Sequence, residues 1–170
     1  MQLLRKMRGA GETPPPRSAW ATILATSLAA TALLAGLAFL TGELGVLLLL
    51  ASFAPSALIV FAYPDSPFAQ PRGVVLGHLI GSACGLAGAH LLPGRWWAAP
   101  LAVGLAIGLM KALRAVHPPA CANPLIVLAL HPAPWTFLLY PTLAGAAAIV
   151  AVGLLYHNLR RPDPWPRYWL

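Results

Sequence analysis

Long apolar runs without a charged residue dominate this sequence. The first extends from Trp20 to Leu40, and comparable runs follow it as far as Tyr156. The hydrocarbon core of a bilayer is about 30 Å thick, so one helical crossing needs about 20 consecutive apolar residues. Since 59% of the residues are hydrophobic and only 9% are charged, too little polar surface remains to coat a water-soluble globule. The sequence therefore predicts a polytopic integral membrane protein, with the lipid bilayer as its main surroundings.

Prolines, glycines and polar turns divide the runs into about six helical spans, which makes the expected fold an all-α transmembrane bundle. The first run is longer than a signal-peptide core of about 7 to 15 residues and reads as an uncleaved span. A basic segment (1–18) precedes the transmembrane domain (19–158), and an interfacial tail (159–170) follows it. The expected spans are Ala19–Leu40, Leu44–Ala62 with Pro55 inside it, Val74–Leu92, Trp96–Met110, a short Pro118–Leu130 and Trp135–Tyr156.

The basic residues favour a full crossing by the short fifth span. Lys and Arg accumulate on the cytoplasmic side of membrane proteins, and six crossings with a cytoplasmic N-terminus leave only Arg95 outside. If the fifth span were a re-entrant loop, the arginines of the tail would lie outside. Both termini are therefore expected in the cytoplasm. The residues expected inside are Arg5, Lys6, Arg8, Arg17, Arg72, Lys111, Arg114, Arg160, Arg161 and Arg167.

A faint internal repeat suggests two halves of three spans each. The triplets 58–60 and 125–127 both read Leu-Ile-Val, and each follows small residues and proline. Halves of three crossings have opposite orientations, as in the inverted repeats of many transporters. Alanine-rich spans also resemble one another by composition alone, so the 3+3 inverted repeat is a hypothesis that stays open.

The segment from Ala115 to Pro124 is the strongest candidate for a functional centre. Pro118 and Pro119 lack backbone N–H groups and fit the first turn of a helix, so a helix is expected to restart there after a break. A helix N-terminus attracts anions through its free N–H groups and its dipole. This predicts an anion site beside His117.

Three stretches resemble the HPP family of small integral membrane proteins. They are His117-Pro118-Pro119-Ala120, the stretch 66–72 (SPFAQPR) followed by Gly77-His78, and Trp135-Thr136-Phe137 leading into Pro141. The resemblance covers roughly Glu43 to Asn158, and Cys121 stands where family members generally have glycine. It implies a small-solute transporter or channel in the bacterial plasma membrane. Because plant plastid members are linked with nitrite, it also implies a small inorganic anion as the solute.

Each candidate residue has a structural alternative. His117 could cap a helix, His78 could be a hydrogen-bonded packing residue, and Lys111 and Arg114 could extend to the lipid headgroups. A paired broken-helix site competes with a simple proline kink in the second span. The predicted solute-binding residues are Ser52, Ser56, Gln70, Arg72, His78, Lys111, Arg114, His117, Pro118, Pro119 and Asn123.

Other functions find little support in the sequence. The basic residues lie mostly at the two ends and are not interleaved with aromatic residues, which disfavours nucleic-acid binding. The histidines lack metal-ligand spacing, and catalytic motifs are absent, so neither a cofactor nor enzymatic activity is expected. None of the four acidic residues lies inside an expected span, which disfavours a carboxylate proton relay. A membrane scaffold or sensor and a membrane enzyme using His117 and His78 are the alternatives, and a homo-oligomer stays open.

Overall fold

The structure, a computed structural model, describes residues 13–130 and 133–169. Helix is the only regular secondary structure in these two ranges, which confirms the predicted all-α fold. The main helices are α1 (Trp20–Leu44), α2 (Phe53–Ala62), α3 (Pro71–Leu91), α4 (Ala98–Ala112), α5 (Asn123–Ala129) and α6 (Ala144–Arg160). Short 3-10 turns cover Pro67–Ala69, Pro118–Ala122 and Trp135–Leu138, and a π-type turn covers Leu139–Leu143.

Each of the six expected apolar segments contains a helix, but only three are long enough to cross a bilayer as one helix. These are α1, α3 and the nearly continuous stretch Trp135–Arg160. The shorter apolar helices are α2, α4 and the stretch Pro118–Ala129. The triplets of the proposed repeat lie in α2 and α5, so each half of the chain places its short helix between two others. The inverted repeat itself remains a prediction.

The prediction that the second span, Leu44–Ala62, is one continuous helix was wrong. Helix α1 runs on to Leu44 and ends at Gly45, whose φ of 63° lies in the left-handed region that glycine adopts freely. Residues 45–52 are not helical, and α2 begins only at Phe53. Pro55 therefore occupies the first turn of α2, where its missing N–H group costs no hydrogen bond. The break precedes the proline and is not a kink within a span.

Contacts between loops show which helix ends lie together. Asp65, in the turn after α2, accepts hydrogen bonds from Arg161 at 2.8 and 3.0 Å, just beyond α6. Arg72, near the start of α3, donates to the carbonyl oxygen of Leu113 at 2.9 Å, just beyond α4. We call the end formed by residues 63–72, 113–117 and 160–169 the basic end.

The opposite end is marked by an aromatic contact. The ring of His90, near the end of α3, stacks on Trp135, with centroids 5.3 Å apart. The chain therefore leaves the basic end after His117 and has reached the opposite end by Trp135. The segment containing α5 spans the bundle, which agrees with the arrangement of six alternating segments.

Helix α3 is the centre of the bundle because a stripe of glycines lets its neighbours approach closely. A Cβ atom added at Gly77 would lie 2.8 Å from Cβ of His117, and one at Gly85 would lie 2.8 Å from Cα of Pro124. Between them, Gly81 faces the carbonyl oxygen of Ala120. Small residues four apart allow such close packing between membrane helices. The stripe therefore brings the His-Pro-Pro segment directly against α3.

Candidate functional site

Four polar side chains meet inside the apolar bundle. Ser56 lies on α2, His78 on α3, His117 just before the turn Pro118–Ala122, and Asn123 at the start of α5. All four are 0% exposed. We call them the histidine cluster. Because polar groups inside a membrane bundle are costly, such a cluster is a default candidate for function.

Hydrogen bonds connect the cluster into one chain. Ser56 Oγ lies 2.8 Å from His117 Nε2 and 2.9 Å from His78 Nε2. Asn123 Nδ2 lies 3.1 Å from His78 Nδ1, and His117 Nδ1 lies 2.7 Å from the carbonyl oxygen of Phe68. The chain thus links α2, α3, α5 and the turn Pro67–Ala69. The contact of Ser56 with His117 places the beginning of α2 against the His-Pro-Pro segment.

Two backbone carbonyl groups fix the hydrogen positions in this chain, because a carbonyl oxygen only accepts. His117 Nδ1 must carry a hydrogen to bond with Phe68. Asn123 Nδ2 also lies 3.2 Å from the carbonyl oxygen of His78, which sets the amide orientation and makes His78 Nδ1 an acceptor. A neutral His78 therefore carries its hydrogen on Nε2 and donates it to Ser56 Oγ.

Sequence reasoning missed two members of the extended network. Ser82 Oγ accepts a hydrogen bond from Asn123 Nδ2 at 2.9 Å and lies 2.8 Å from Thr142 Oγ1. Ser82 is one helical turn beyond His78, so the two share a face of α3. That spacing was a usable signal for Ser82. The proximity of Thr142, from a distant part of the chain, left no such signal.

Aromatic packing closes one side of the cluster. The rings of His78 and His117 are 5.1 Å apart at an angle of 61°, and the Phe53 ring meets His78 edge to face at 5.0 Å. In the described part of the chain, no three His, Cys, Asp or Glu side chains come together as a metal site would need. The cluster itself is built from imidazole, hydroxyl and amide groups.

Two predicted solute-binding residues hold the basic end together. The buried Gln70 donates to the carbonyl oxygens of Pro64 and Ser66, both at 2.9 Å, and accepts from the backbone N–H of Arg167 at 2.8 Å. Arg72 donates to carbonyl groups that follow α4. The structure thus gives both residues a structural role at the helix ends.

The other predicted residues divide between the surface and the interior. Lys111, Arg114 and Pro118 are exposed, whereas Pro119 and Ser52 are buried. Arg114 has a φ of 52°, a strained left-handed conformation for a residue with a side chain. The exposure of Lys111 and Arg114 fits the structural alternative of boundary residues.

The long helix that was expected to begin after His117 does not form there. A five-residue 3-10 turn follows His117 instead of a long helix, and α5 has only seven residues. Pro118 and Pro119 have no N–H group, and the Ala120 N–H donates to the His117 carbonyl oxygen at 3.0 Å. Two adjacent prolines and a third one at Pro124 prevent an early α-helical start, so the dipole argument fails here.

The cluster is closed to solvent in the described structure. Every side chain of the cluster is fully buried, so none of them contacts solvent. Apolar neighbours and the glycine stripe pack directly against it. Any solute that reaches His117 therefore requires the bundle to open.

A polar cavity that the sequence did not predict lies at the basic end. Its volume is about 380 Å³, and its lining includes Thr26, Asp65, Tyr156, His157 and Arg161. The pKa of Asp65 lies below its ordinary value of 3.8, mainly because Arg161 donates hydrogen bonds to the carboxylate. His157 is buried and bonds to the carbonyl oxygen of Val60 at 2.8 Å. The cavity opens a polar, largely cationic surface between α1, α2 and α6.

Comparisons with known proteins agree with the architecture. The HPP transmembrane region matches residues 13–166, nearly the whole chain. The chain belongs to the HPP transmembrane family. A transmembrane protein of Dictyostelium discoideum is 36% identical over 128 residues, which are 71% of this chain and 45% of that protein. A second one from the same organism is 33% identical over 136 residues, 76% of this chain and 44% of that protein.

The chain spans less than half the length of these two curated relatives, so their whole-protein activities do not transfer directly. No solved structure matches the chain significantly. The resemblance predicted from the His-Pro-Pro motif is confirmed at the level of the family. The motif's histidine is the member of the cluster that joins α2, α3 and the turn Pro67–Ala69.

Proposed function

We propose that this protein is a small-solute membrane transporter, and that its solute is a small inorganic anion such as nitrite. The observation that carries the proposal is the buried histidine cluster at the contact of two interrupted segments. Transporters commonly bind solutes where broken helices meet inside the bundle. A membrane scaffold would need no connected polar chain between four of its helical segments.

The chemistry of the cluster suits a compact anion. Its side chains offer hydroxyl, imidazole and amide donors, and none carries a fixed charge that would hold an anion permanently. The acidic residues within the described ranges, Glu43, Asp65 and Asp163, lie outside it. Solute conduction requires binding that is strong enough for entry and weak enough for release. Neutral donors inside an apolar bundle meet both requirements.

The basic end provides a route of approach. Arg160 and Arg161 border the polar cavity, and Arg72 and Arg114 lie at the same end. A surface of one charge sign raises the local concentration of oppositely charged solutes. We place this end in the cytoplasm of a bacterial cell, together with both termini, because of the distribution of basic residues.

Reconstitution into liposomes tests the proposal. Purified protein should accelerate uptake of nitrite, measured against a panel of small anions and neutral solutes. His117→Ala should lower the flux while the protein remains in the membrane, because the variant removes the central link of the cluster. His90→Ala, which changes the exposed histidine at the end of α3, is the matched control and should transport normally.

The result also separates the alternatives. Equal flux through His117→Ala and the unaltered protein would reject a role for the cluster. If no solute of the panel moves faster than through protein-free liposomes, a scaffold or sensor role replaces transport.

A further inference from the structure

The Ser56 hydroxyl has two competing acceptors. Its Oγ lies 2.8 Å from His117 Nε2 and 2.9 Å from the carbonyl oxygen of Ser52, one turn earlier in the chain. A hydroxyl group has one hydrogen and can donate to only one of them at a time. The two choices correspond to two protonation states of His117.

In the neutral state, the hydrogens all point the same way along the chain. His78 Nε2–H donates to Ser56 Oγ, the Ser56 hydroxyl donates to His117 Nε2, and His117 Nδ1–H donates to the carbonyl oxygen of Phe68. Every ring nitrogen of the cluster has a partner in this arrangement. Buried polar groups need such partners because an unmet hydrogen bond costs about 1–3 kcal/mol.

In the cationic state, rotation of one hydroxyl group satisfies the chain equally well. An added proton on His117 Nε2 donates to Ser56 Oγ, which already accepts from His78. The Ser56 hydrogen then turns to the carbonyl oxygen of Ser52. No side chain must move, so the geometry accommodates a proton on His117 without leaving a donor unpaired.

The chain holds a proton but does not conduct one through the closed protein. One end stops at the carbonyl oxygen of Phe68 and the other at the amide of Asn123. Neither group passes a proton onward under ordinary conditions, unlike water or imidazole. A proton bound at His117 can therefore leave only when the cluster opens to water.

Within residues 13–130 and 133–169, no carboxylate contacts His117 to neutralise that proton. The turn Pro118–Ala122 that follows His117 packs against α2, α3, α4 and α5, and His117 itself bonds to the turn Pro67–Ala69. The ionisable side chain that His117 contacts is His78. Arg72 bonds carbonyl groups beyond α4, Lys111 and His90 are exposed, and Asp65 is bound by Arg161 and Arg167. The thiols on these elements are Cys84, buried among residues that include Ala102 and Ala106, and the partly buried Cys121.

An uncompensated cation in an apolar bundle is strongly unfavourable, and a co-bound anion removes that cost. A further buried hydroxyl group lies one helical turn before Ser56 and could donate to such an anion. Ser52 Oγ belongs to a side chain only 1% exposed and has no hydrogen-bond partner among the described residues. The carbonyl oxygen of the same residue, Ser52, receives the Ser56 hydrogen in the cationic state.

We propose that His117 Nε2 is a proton-binding site, and that the proton and a small anion bind to the cluster together and cross the membrane as a neutral pair. This inference rests on the proposed transport function and adds its coupling ion. The proton comes from hydronium, which is left as water, and returns to water on the other side. Binding of the two partners is reciprocal, so each strengthens the other.

Nitrogen NMR of histidine-labelled protein in lipid nanodiscs tests the site without any transport. On acidification, the His117 signals should change from the Nδ1–H tautomer to the doubly protonated form, while His78 stays the neutral Nε2–H tautomer. Nitrite should move the His117 transition to higher pH. His117→Gln and His78→Gln assign the signals, and His90→Gln is the control that should leave both cluster signals in place.

Two results would overturn the proton site: a His117 that stays neutral throughout, or protonation of His78 instead. A transition unaffected by nitrite would overturn the joint binding of the proton and the anion. Ser56→Ala supplies an independent check, because the cation loses its acceptor and should form only at lower pH. Ser56→Thr keeps the hydroxyl group and should restore the transition. A Ser56→Ala protein that titrates like the unaltered one would contradict the switch.

A flux assay then tests the coupling. In liposomes that contain a pH-sensitive dye, an inward nitrite gradient should acidify the lumen faster than in protein-free liposomes, where only the free acid crosses. Uptake of a neutral pair should not respond to an imposed potassium diffusion potential. Nitrite flux that responds to the potential and leaves the lumen pH unchanged would refute coupling but not transport. Absence of flux would refute transport, whereas the titration decides the proton site by itself.

Discussion

At the scale of single residues, a few side chains decide how the interior polar groups are satisfied. Asn123 bonds to the ring and the backbone of His78 and to Ser82, so one amide holds α5 against α3. Ser82 in turn contacts Thr142 at the beginning of the last helical stretch. These contacts join three parts of the chain that are distant in sequence, and each depends on a buried polar atom.

A double-mutant cycle on Ser82 and Thr142 should show strong coupling. Ser82→Ala or Thr142→Val alone leaves a buried partner unpaired and should cost about 1–3 kcal/mol of unfolding free energy. The double variant removes both hydroxyl groups and should cost clearly less than the sum. Reversible unfolding in mixed detergent micelles measures the three values. Simple additivity would show that the two hydroxyl groups do not bond.

Asp65 should make the attachment of the tail pH-dependent. Hydrogen bonds from Arg161 lower the pKa of Asp65 in the folded state. Its stabilising contribution is therefore complete above the ordinary pKa of 3.8 and is lost as the pH falls through the lowered value. The carboxylate is 56% exposed, so the effect should stay below about 1 kcal/mol. Limited proteolysis of residues 160–169 in nanodiscs measures this release of the tail.

Asp65→Asn should expose the tail to protease already at neutral pH. Asp163→Asn is the control, because Asp163 has only a longer contact of 3.7 Å with Arg167. Equal cleavage of both variants would show that the ion pairs of Asp65 do not hold the tail.

At the scale of elements, the packing of α3 depends on the glycine stripe. Gly81→Ala would push a methyl group into the carbonyl oxygen of Ala120, which is part of the backbone and has little room to shift. We expect a loss of about 1–3 kcal/mol in unfolding free energy, as for other overpacked sites. Thermal unfolding in detergent measures the loss.

Gly104→Ala on α4 is the matched control for this prediction. A Cβ atom there meets no atom within 4 Å, so the substitution should be neutral or slightly stabilising because alanine favours helix. Similar melting temperatures for the two variants would argue against the close approach of α3 to the His-Pro-Pro segment.

Sequence reasoning predicted the helical segments better than their breaks. Charge-free runs identified all six segments, because length and apolarity are local properties. Whether residues 45–52 continued the helix depended on Gly45 and on where Pro55 fell within the first turn of α2. A proline inside an apolar run indicates a break nearby but does not say on which side of it the helix lies.

The site was predicted in part for the same physical reason. Ser56, His78, His117 and Asn123 stood out because polar residues in apolar runs are costly and therefore noticeable. Gln70 and Arg72 stood out equally, yet their partners are backbone groups of the basic end. Composition shows that a polar group needs a partner, and only the fold shows whether that partner is a solute or a carbonyl group.

At the scale of the whole molecule, three loops meet at the basic end. The turn after α2, the loop after α4 and the tail after α6 are joined by the contacts of Asp65 with Arg161, of Arg72 with Leu113 and of Gln70 with Arg167. The first part of α1 also lies near this end. Thr26 Oγ1 is 3.3 Å from the hydroxyl oxygen of Tyr156, which is one helical turn before the end of α6. Within the described residues, Arg72, Arg114, Arg161 and Arg167, which were assigned to one side of the membrane, thus gather at one end of the fold.

This arrangement predicts the sidedness of labelling in cells. In a background where Cys84 and Cys121 are replaced by alanine, Arg95→Cys should react with a membrane-impermeant maleimide from outside, because the turn before α4 lies opposite the basic end. Pro162→Cys, in the exposed start of the tail, should react only after the membrane is permeabilised. Labelling of both positions from outside would mean that the chain crosses an even number of times between them, so that the segment containing α5 fails to span the bilayer. The opposite pattern, with only Pro162→Cys labelled in intact cells, would keep the fold but invert the protein, and the basic end would then face away from the cytoplasm.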